Sequence, residues 1–235
     1  KDGQYVADGL DVDAFLSAAR NKRSTKAVVI ARKIMDGATL EEVNEEDPGY
    51  FMMNKRKIEE YAAWIAVKRL KTSLKPWKVL SPTLAWSDAD REIAVWLNKN
   101  IKKPRKYRQK QLFIHGTTGM GKTTLINRLR EYCVVYDVPR DEDFYDAYED
   151  GLYDLLVFDE FKGNKTIQFM NTLLDGNPLS LRKKGSQCLK RDNLPTIVLS
   201  NYPLCECYPN VDAIRFATID SRFHCVCVES EIDVL

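Results

Sequence analysis

The nine residues GTTGMGKTT, Gly116 to Thr124, constrain this chain more than any other feature. They follow the apolar run QLFI and His115 and open onto LINRLREY, so the local order reads strand, glycine-rich loop, helix. Gly116, Gly119 and Gly121 let the backbone turn tightly, so that successive N–H groups point inward where a helix N-terminus adds positive potential. The spacing G-x-x-x-x-G-K-[ST] predicts that Gly116, Thr117, Thr118, Gly119, Met120, Gly121, Lys122, Thr123 and Thr124 hold a polyphosphate, with ATP as the expected nucleotide. Lys122 would reach the β- and γ-phosphates, the Thr123 hydroxyl would ligate Mg²⁺, and Thr124 would lie beside the α-phosphate. A glycine turn with an incidental lysine is the plainer alternative, but it leaves unexplained the threonine that follows the lysine at the start of an apolar-faced helix.

Three further positions gain meaning from that cradle. LLVFDEF ends in Asp159 and Glu160, and at the C-terminal end of a strand both acids can reach one crevice. Asp159 is expected in the Mg²⁺ shell, and Glu160 is expected to polarise the attacking water. PTIVLSN delivers Asn201, whose amide suits the γ-phosphate or that water, although SNYP alone reads as a turn. Arg222, ahead of the last apolar run, offers a planar fork for a phosphoryl group gaining charge. Arg215 is the competing choice, and pairing with an internal carboxylate is the ordinary role for either.

Around this site the pattern is one of short apolar runs at Gln111–Ile114, Leu155–Phe158, Thr196–Leu199 and about Phe223–Val228, alternating with helical stretches. Buried strands with longer crossings predict a three-layer α/β domain over residues 111–235. With 44% hydrophobic and 30% charged residues in a chain of 235, a sizeable core needs neither disulfides nor metal. The six cysteines include two Cys-x-Cys pairs, not the Cys-x-x-Cys knuckles of zinc sites, and Cys225 and Cys227 are expected on one face of a strand as small, reduced side chains. No apolar run approaches the roughly 18 residues of a membrane span, and the first residues lack the order of a signal peptide, so a soluble intracellular chain is expected.

The net charge of +2 conceals an asymmetry. Residues 1–110 carry 23 basic and 15 acidic side chains, and residues 111–235 carry 13 and 19, which suggests a basic part for a polyanion or for a neighbouring subunit. Residues 1 to about 71 read as short helices, with Ile58, Tyr61, Ala62, Ile65 and Ala66 forming one apolar stripe that needs covering. Thr72 to Trp86 reads as a linker, and Ser87 with Asp90 starts a helix that buries Ala89, Ile93, Trp96 and Leu97 up to about Asn100. The run IKKPRKYRQK at 101–110 has six basic residues, which suit a solvated loop, a nucleic-acid contact or a nuclear address.

Between the second and third strands, LSLRKKGSQCLKR alternates around a Gly-Ser turn and reads as a hairpin. Its cations, among them Lys183, Lys184, Lys190 and Arg191, suit a phosphate backbone, and a solvated hairpin is the alternative. The acidic stretch Asp141–Asp154, with seven carboxylates, is a candidate contact for a neighbour's basic helices.

Cradle, Asp-Glu strand, basic hairpin, Ser-Asn strand and late arginine, in that order within about 110 residues, resemble superfamily 3 helicases. The chain looks most like the C-terminal helicase of replication-initiator (Rep) proteins from circular single-stranded DNA viruses. FYDAYEDGLYDLLVFDEF and LSLRKKGSQCLKRDNLPTIVLSN carry the likeness, which covers about residues 86–230. It implies an AAA+-like three-layer P-loop sandwich at 111–235, a segment of linker, helix and basic run at 76–110, and a small helical oligomerisation domain at 1–75. It further implies Asn201 as polar sensor, Arg222 as a finger in the neighbour's ATP site, a homo-oligomeric, usually hexameric ring on single-stranded DNA, and a host nucleus. Rep proteins carry a nuclease with a His-hydrophobe-His pair, which this chain's two histidines, His115 and His224, cannot form. The expectation is a chain that begins after such a nuclease, with nicking done elsewhere as the alternative.

Rival readings are an RNA-directed ATPase of the picornavirus kind, a non-motor ring that nucleotide merely stabilises, and a small-molecule kinase.

Overall fold

The computed structural model describes residues 26–235, and expectations for residues 1–25 lie outside the described residues. The chain divides into two compact units, the second starting at Leu70.

In the first unit, α1 (Lys26–Asp36), α2 (Leu40–Glu46) and all but the last turn of the long α3 (Pro48–Ser73) surround a small core of Ile34, Val43, Ile58 and Ile65. Thr39 caps α2 in a reciprocal box with Glu42, whose carboxylate accepts from the Thr39 N–H at 2.8 Å. The apolar stripe read from the sequence is the inner face of α3, apart from Ala66, which is exposed. One helix of 26 residues stands where shorter ones were expected.

The second unit is a parallel sheet with a helical layer on each face. Its strands are β1 (Gln111–His115), β2 (Val135–Asp137), β3 (Leu155–Phe158), β6 (Thr196–Ser200) and β7 (Phe223–Cys227), in the order β2-β3-β6-β1-β7. Strand alternation sorts the core onto two faces. Leu112, Ile114, Val157, Ile197 and Leu199 meet α4 (Asp88–Asn100) and α5 (Lys122–Leu129). Phe113, Leu156, Phe158 and Val198 meet α6 (Ile167–Leu174), the short α7 (Leu204–Cys207) and α8 (Ala213–Asp220). A separate antiparallel hairpin, β4 (Leu179–Lys183) with β5 (Ser186–Lys190), adjoins this second layer through Leu181.

Helix α4 starts as its Ser-x-x-Asp signal predicts, with the Ser87 hydroxyl accepting from the Asp90 N–H at 3.1 Å. The stretch read as a linker is tied down in this unit: Trp77, Leu80 and Trp86 pack on its core, and the Leu80 N–H donates to Asn98 Oδ1 at 2.9 Å. The basic run 101–110 is a loop with five of its six cations exposed, tied to the unit where Lys102 pairs with Asp154 at 2.6 Å, Arg108 with Asp175 at 3.4 Å, and Arg105 binds the Gln109 carbonyl at 2.8 Å. All six cysteines are free thiols; Cys225 and Cys227 share a face as expected, yet both are exposed on the edge strand β7. Among the described residues no helix is long and apolar enough to cross a membrane, and no cluster of three or more His, Cys, Asp or Glu could hold a metal.

Candidate active site

Parallel β1, β6 and β3 end at the same edge of the sheet, and β6 lies between the other two. The sequence after β1 therefore faces the sequence after β3, with the residue after β6 between them. A cleft of about 260 Å³ at this edge is lined by Thr118 to Thr124, Asp159, Glu160, Leu199, Ser200, Asn201 and Glu231.

The glycine loop is shaped as its spacing requires. A Cβ on Gly116 would stand 2.3 Å from the Val228 carbonyl oxygen, whose residue donates its N–H to the His115 carbonyl at 2.7 Å. Only glycine fits there. Gly121 precedes α5 in the left-handed region at φ 75°, so the helix N-terminus opens directly into the cleft. Gly116 and Thr117 do not line the cleft, and their carbonyls accept from Lys122 Nζ at 2.6 and 2.7 Å. Burial pushes the Lys122 ammonium below its usual pKa, with Asp159 opposing that shift. Burial, with Lys122 adding to it and Glu206 opposing, also pushes the His115 pKa down, which favours the neutral imidazole beside the loop.

The acids sit one step beyond β3. Glu160 adopts φ 53°, an uncommon conformation for a side-chain-bearing residue, and its N–H donates to Asp159 Oδ1 at 2.9 Å. The next residue returns to the sheet, the Phe161 N–H donating to the Leu199 carbonyl at 2.8 Å. Arg140, just past β2, spans both acids: one guanidinium nitrogen lies 3.4 Å from Asp159 Oδ2 and another donates to Glu160 Oε2.

The structure thus brings together Lys122, Thr123, Asp159, Glu160 and Asn201. Arg222 lies elsewhere. It immediately precedes β7, and its carbonyl accepts from the Gln111 N–H at the start of β1 at 2.8 Å, the far end of the sheet from the loop. Its guanidinium donates to both oxygens of the buried Asp175 at 2.9 and 3.2 Å, leaving the side chain 12% exposed. In the single chain Arg222 makes the internal pairing named as its ordinary alternative and does not project as a free finger. Arg215, in the first turn of α8, has a side chain 77% exposed and pairs with Asp212 at 3.4 Å.

The hairpin also corrects the sequence reading. Lys183 is half-buried, and Lys184 and Arg191 are exposed, but Lys190 is 1% exposed and donates to the Asp192 carbonyl at 2.6 Å. Because β5 turns Lys190 toward the body of the unit, its ammonium cannot serve a strand of nucleic acid from there; burial lowers its pKa to about 8. In the acidic stretch, Asp146 and Asp150 accept from the N–H groups of Lys184 and Arg191 at 2.6 and 2.8 Å, while Asp141, Glu142 and Asp143 are exposed.

Sequence reasoning missed Arg140 and Glu231. The alternating run Val134–Val138 was the available sign of a further parallel strand, which would have brought the loop holding Arg140 to the same sheet edge. Glu231 carried no local signal; it reaches the loop because the Ile232 N–H donates to the Met120 carbonyl at 3.1 Å.

No family model matches this sequence, and no curated protein matches it. Among solved structures, a protein described as a primosome component from Streptococcus pyogenes serotype M3 is similar at 13% identity and a TM-score of 0.41, over 67% of this chain and 87% of that one. A JCV helicase with a bound acetamide compound is similar at 16% identity and a TM-score of 0.39, over 86% of this chain and 56% of that one.

Proposed function

We propose that the chain is an ATP-driven nucleic-acid motor of the superfamily 3 kind, a DNA helicase with an AAA+-like ATPase unit. The carrying observation is that one cleft gathers the glycine loop, Lys122, Thr123, the acids Asp159 and Glu160, and Asn201.

The donor set suits a hard divalent cation. Thr123 and Asp159 supply oxygens to the same cleft, and Asp159 already attracts a cationic guanidinium at 3.4 Å. Mg²⁺ is commonly held by one or two protein oxygens together with substrate phosphates, so no larger ligand cluster is needed. Thr123 and Asp159 would hold such an ion, which would supply charge neutralisation for the bound phosphates.

The protein's own groups do the rest. Loop N–H groups and the α5 N-terminus orient the triphosphate, and Lys122 exchanges its two loop carbonyls for phosphate oxygens. Glu160 orients the attacking water, and Asn201, placed by β6 between acids and loop, holds the γ-phosphate or that water. Exposed Lys184 and Arg191 give the hairpin a sequence-independent grip on a phosphate backbone. A ring of copies, hexameric by the resemblance, would complete each site with a guanidinium from a neighbour. Arg215 can extend by giving up only an exposed pair with Asp212 at 3.4 Å, whereas Arg222 must first leave the buried Asp175.

The test is phosphate release with single-stranded DNA or RNA added, beside the Glu160→Gln variant. DNA is expected to stimulate release, and Glu160→Gln to keep ATP binding while turnover falls at least about 100-fold. Stimulation by RNA alone would overturn the DNA assignment, and wild-type turnover in the variant would overturn the role of Glu160.

A further inference from the structure

The segment that follows β2 touches both the acids and the hairpin. At its start, Arg140 bridges Asp159 and Glu160, and its carbonyl accepts from Asn164 Nδ2. Lys165, 5% exposed, donates to the Glu142 carbonyl at 2.7 Å. These bonds fasten residues 140–142 to the loop just beyond the acids.

From residue 144 onward the same segment is fastened to the hairpin. The Tyr145 N–H donates to the Arg182 carbonyl at 2.8 Å, and Asp146 Oδ1 accepts from the Lys184 N–H at 2.6 Å. The Phe144 ring lies 5.4 Å from the Arg182 guanidinium and 5.9 Å from the Lys184 ammonium. Asp150 Oδ1 accepts from the N–H groups of Arg191 and Asp192 at 2.8 and 3.3 Å. Tyr145 and Tyr148 are buried in the same cluster as Leu181 of β4, so the segment and the hairpin share a packed core. Packed contacts of this kind shift between discrete arrangements and do not deform smoothly.

We infer that residues 140–150 couple the nucleotide cleft to the hairpin, with Arg140 as the positioning residue whose hold on the two acids reports whether the cleft is filled. The inference rests on the nucleotide and nucleic-acid reading above. A second cation at Asp159 competes with the guanidinium for one carboxylate, because like charges a few ångströms apart repel. The nucleotide-free chain therefore favours Arg140 on the acids, and the filled cleft favours its release. That difference in contacts is what lets nucleotide bias the segment, and with it Lys184 and Arg191. By linkage, a strand on the hairpin must alter nucleotide affinity by the same factor.

The test measures affinity for a fluorescent single-stranded DNA oligonucleotide, using the full chain without nucleotide and with Mg²⁺ and a non-hydrolysable ATP analogue. The wild-type affinity ratio between the two states is expected to be at least about fivefold. Arg140→Ala is expected to bring that ratio close to one. Phe144→Ala, remote from the cleft, is expected to do the same with affinity for the analogue unchanged, and thermal melts identify any variant that does not fold. Both folded variants keeping the wild-type ratio would overturn the inference, as would a wild-type protein that binds analogue and DNA without any influence of one on the other. A wild-type protein that binds no analogue removes the proposed function as well, so the two failures are distinguishable.

Discussion

Lys190 shows how one side chain can contradict the charge pattern around it. Its neighbours on the hairpin point to solvent, yet its ammonium is buried against the Asp192 carbonyl, with Asp150 and Asp192 favouring its charge and Arg105 opposing it. Burial holds its pKa at about 8, below the unfolded value near ~10.4. Between these values the unfolded chain binds a proton that the native chain has lost, so this group makes stability rise with pH in that window. Below about 8 the cost of the buried charge is present in full. Lys190→Met is accordingly expected to be more stable than wild type at pH 7 by about 1 to 3 kcal/mol in urea melts, a gap that narrows by pH 10. A variant less stable at pH 7, with a gap independent of pH, would show that the ammonium is needed where it sits. The cradle was legible at this scale because its residues are adjacent and their spacing is set by one turn and one helix end. Arg140 was not legible, since its partners lie 19 and 20 positions away and meet it only when β2 pairs with β3.

Elements were legible in proportion to their local signals. Helix α4 begins where Ser87 and Asp90 place it, and β1, β3 and β6 coincide with apolar runs. Strand β2 spans only three residues and was passed over, and the run 101–110 is the charged loop it reads as, although sequence does not show which of its cations find partners. Asp175 illustrates what those partners do. It caps the end of α6, is buried, and receives Arg222 from just before β7 and Arg108 from the basic run, so one carboxylate joins three segments. Arg222→Ala leaves that carboxylate with Arg108 alone and is expected to lower stability by about 2 kcal/mol. Arg215→Ala removes only an exposed pair and should stay within about 0.5 kcal/mol of wild type. Urea unfolding of both variants checks this, and an Arg222→Ala protein as stable as wild type would mean the pair is not a structural tie. Mixing either variant with Lys122→Ala adds the functional question, because recovery of ATPase in hybrids identifies which arginine serves a neighbouring copy.

For the molecule as a whole, the sheet order is the feature that turns three separate sequence signals into one site. With β6 between β1 and β3, loop, acids and Asn201 converge by topology. The helical unit leaves Met52 and Met53 77% and 83% exposed, as suits a unit that packs on other copies in the proposed ring. That assembly and the motor both depend on the cleft taking up nucleotide. Titration calorimetry of ATP with Mg²⁺ into the folded chain tests this most directly. The account predicts saturable uptake near one ATP per chain, weakened at least about tenfold by Lys122→Ala through the lost charge-assisted contact to phosphate, whereas no uptake by folded wild-type protein, or equal uptake by the variant, would contradict it.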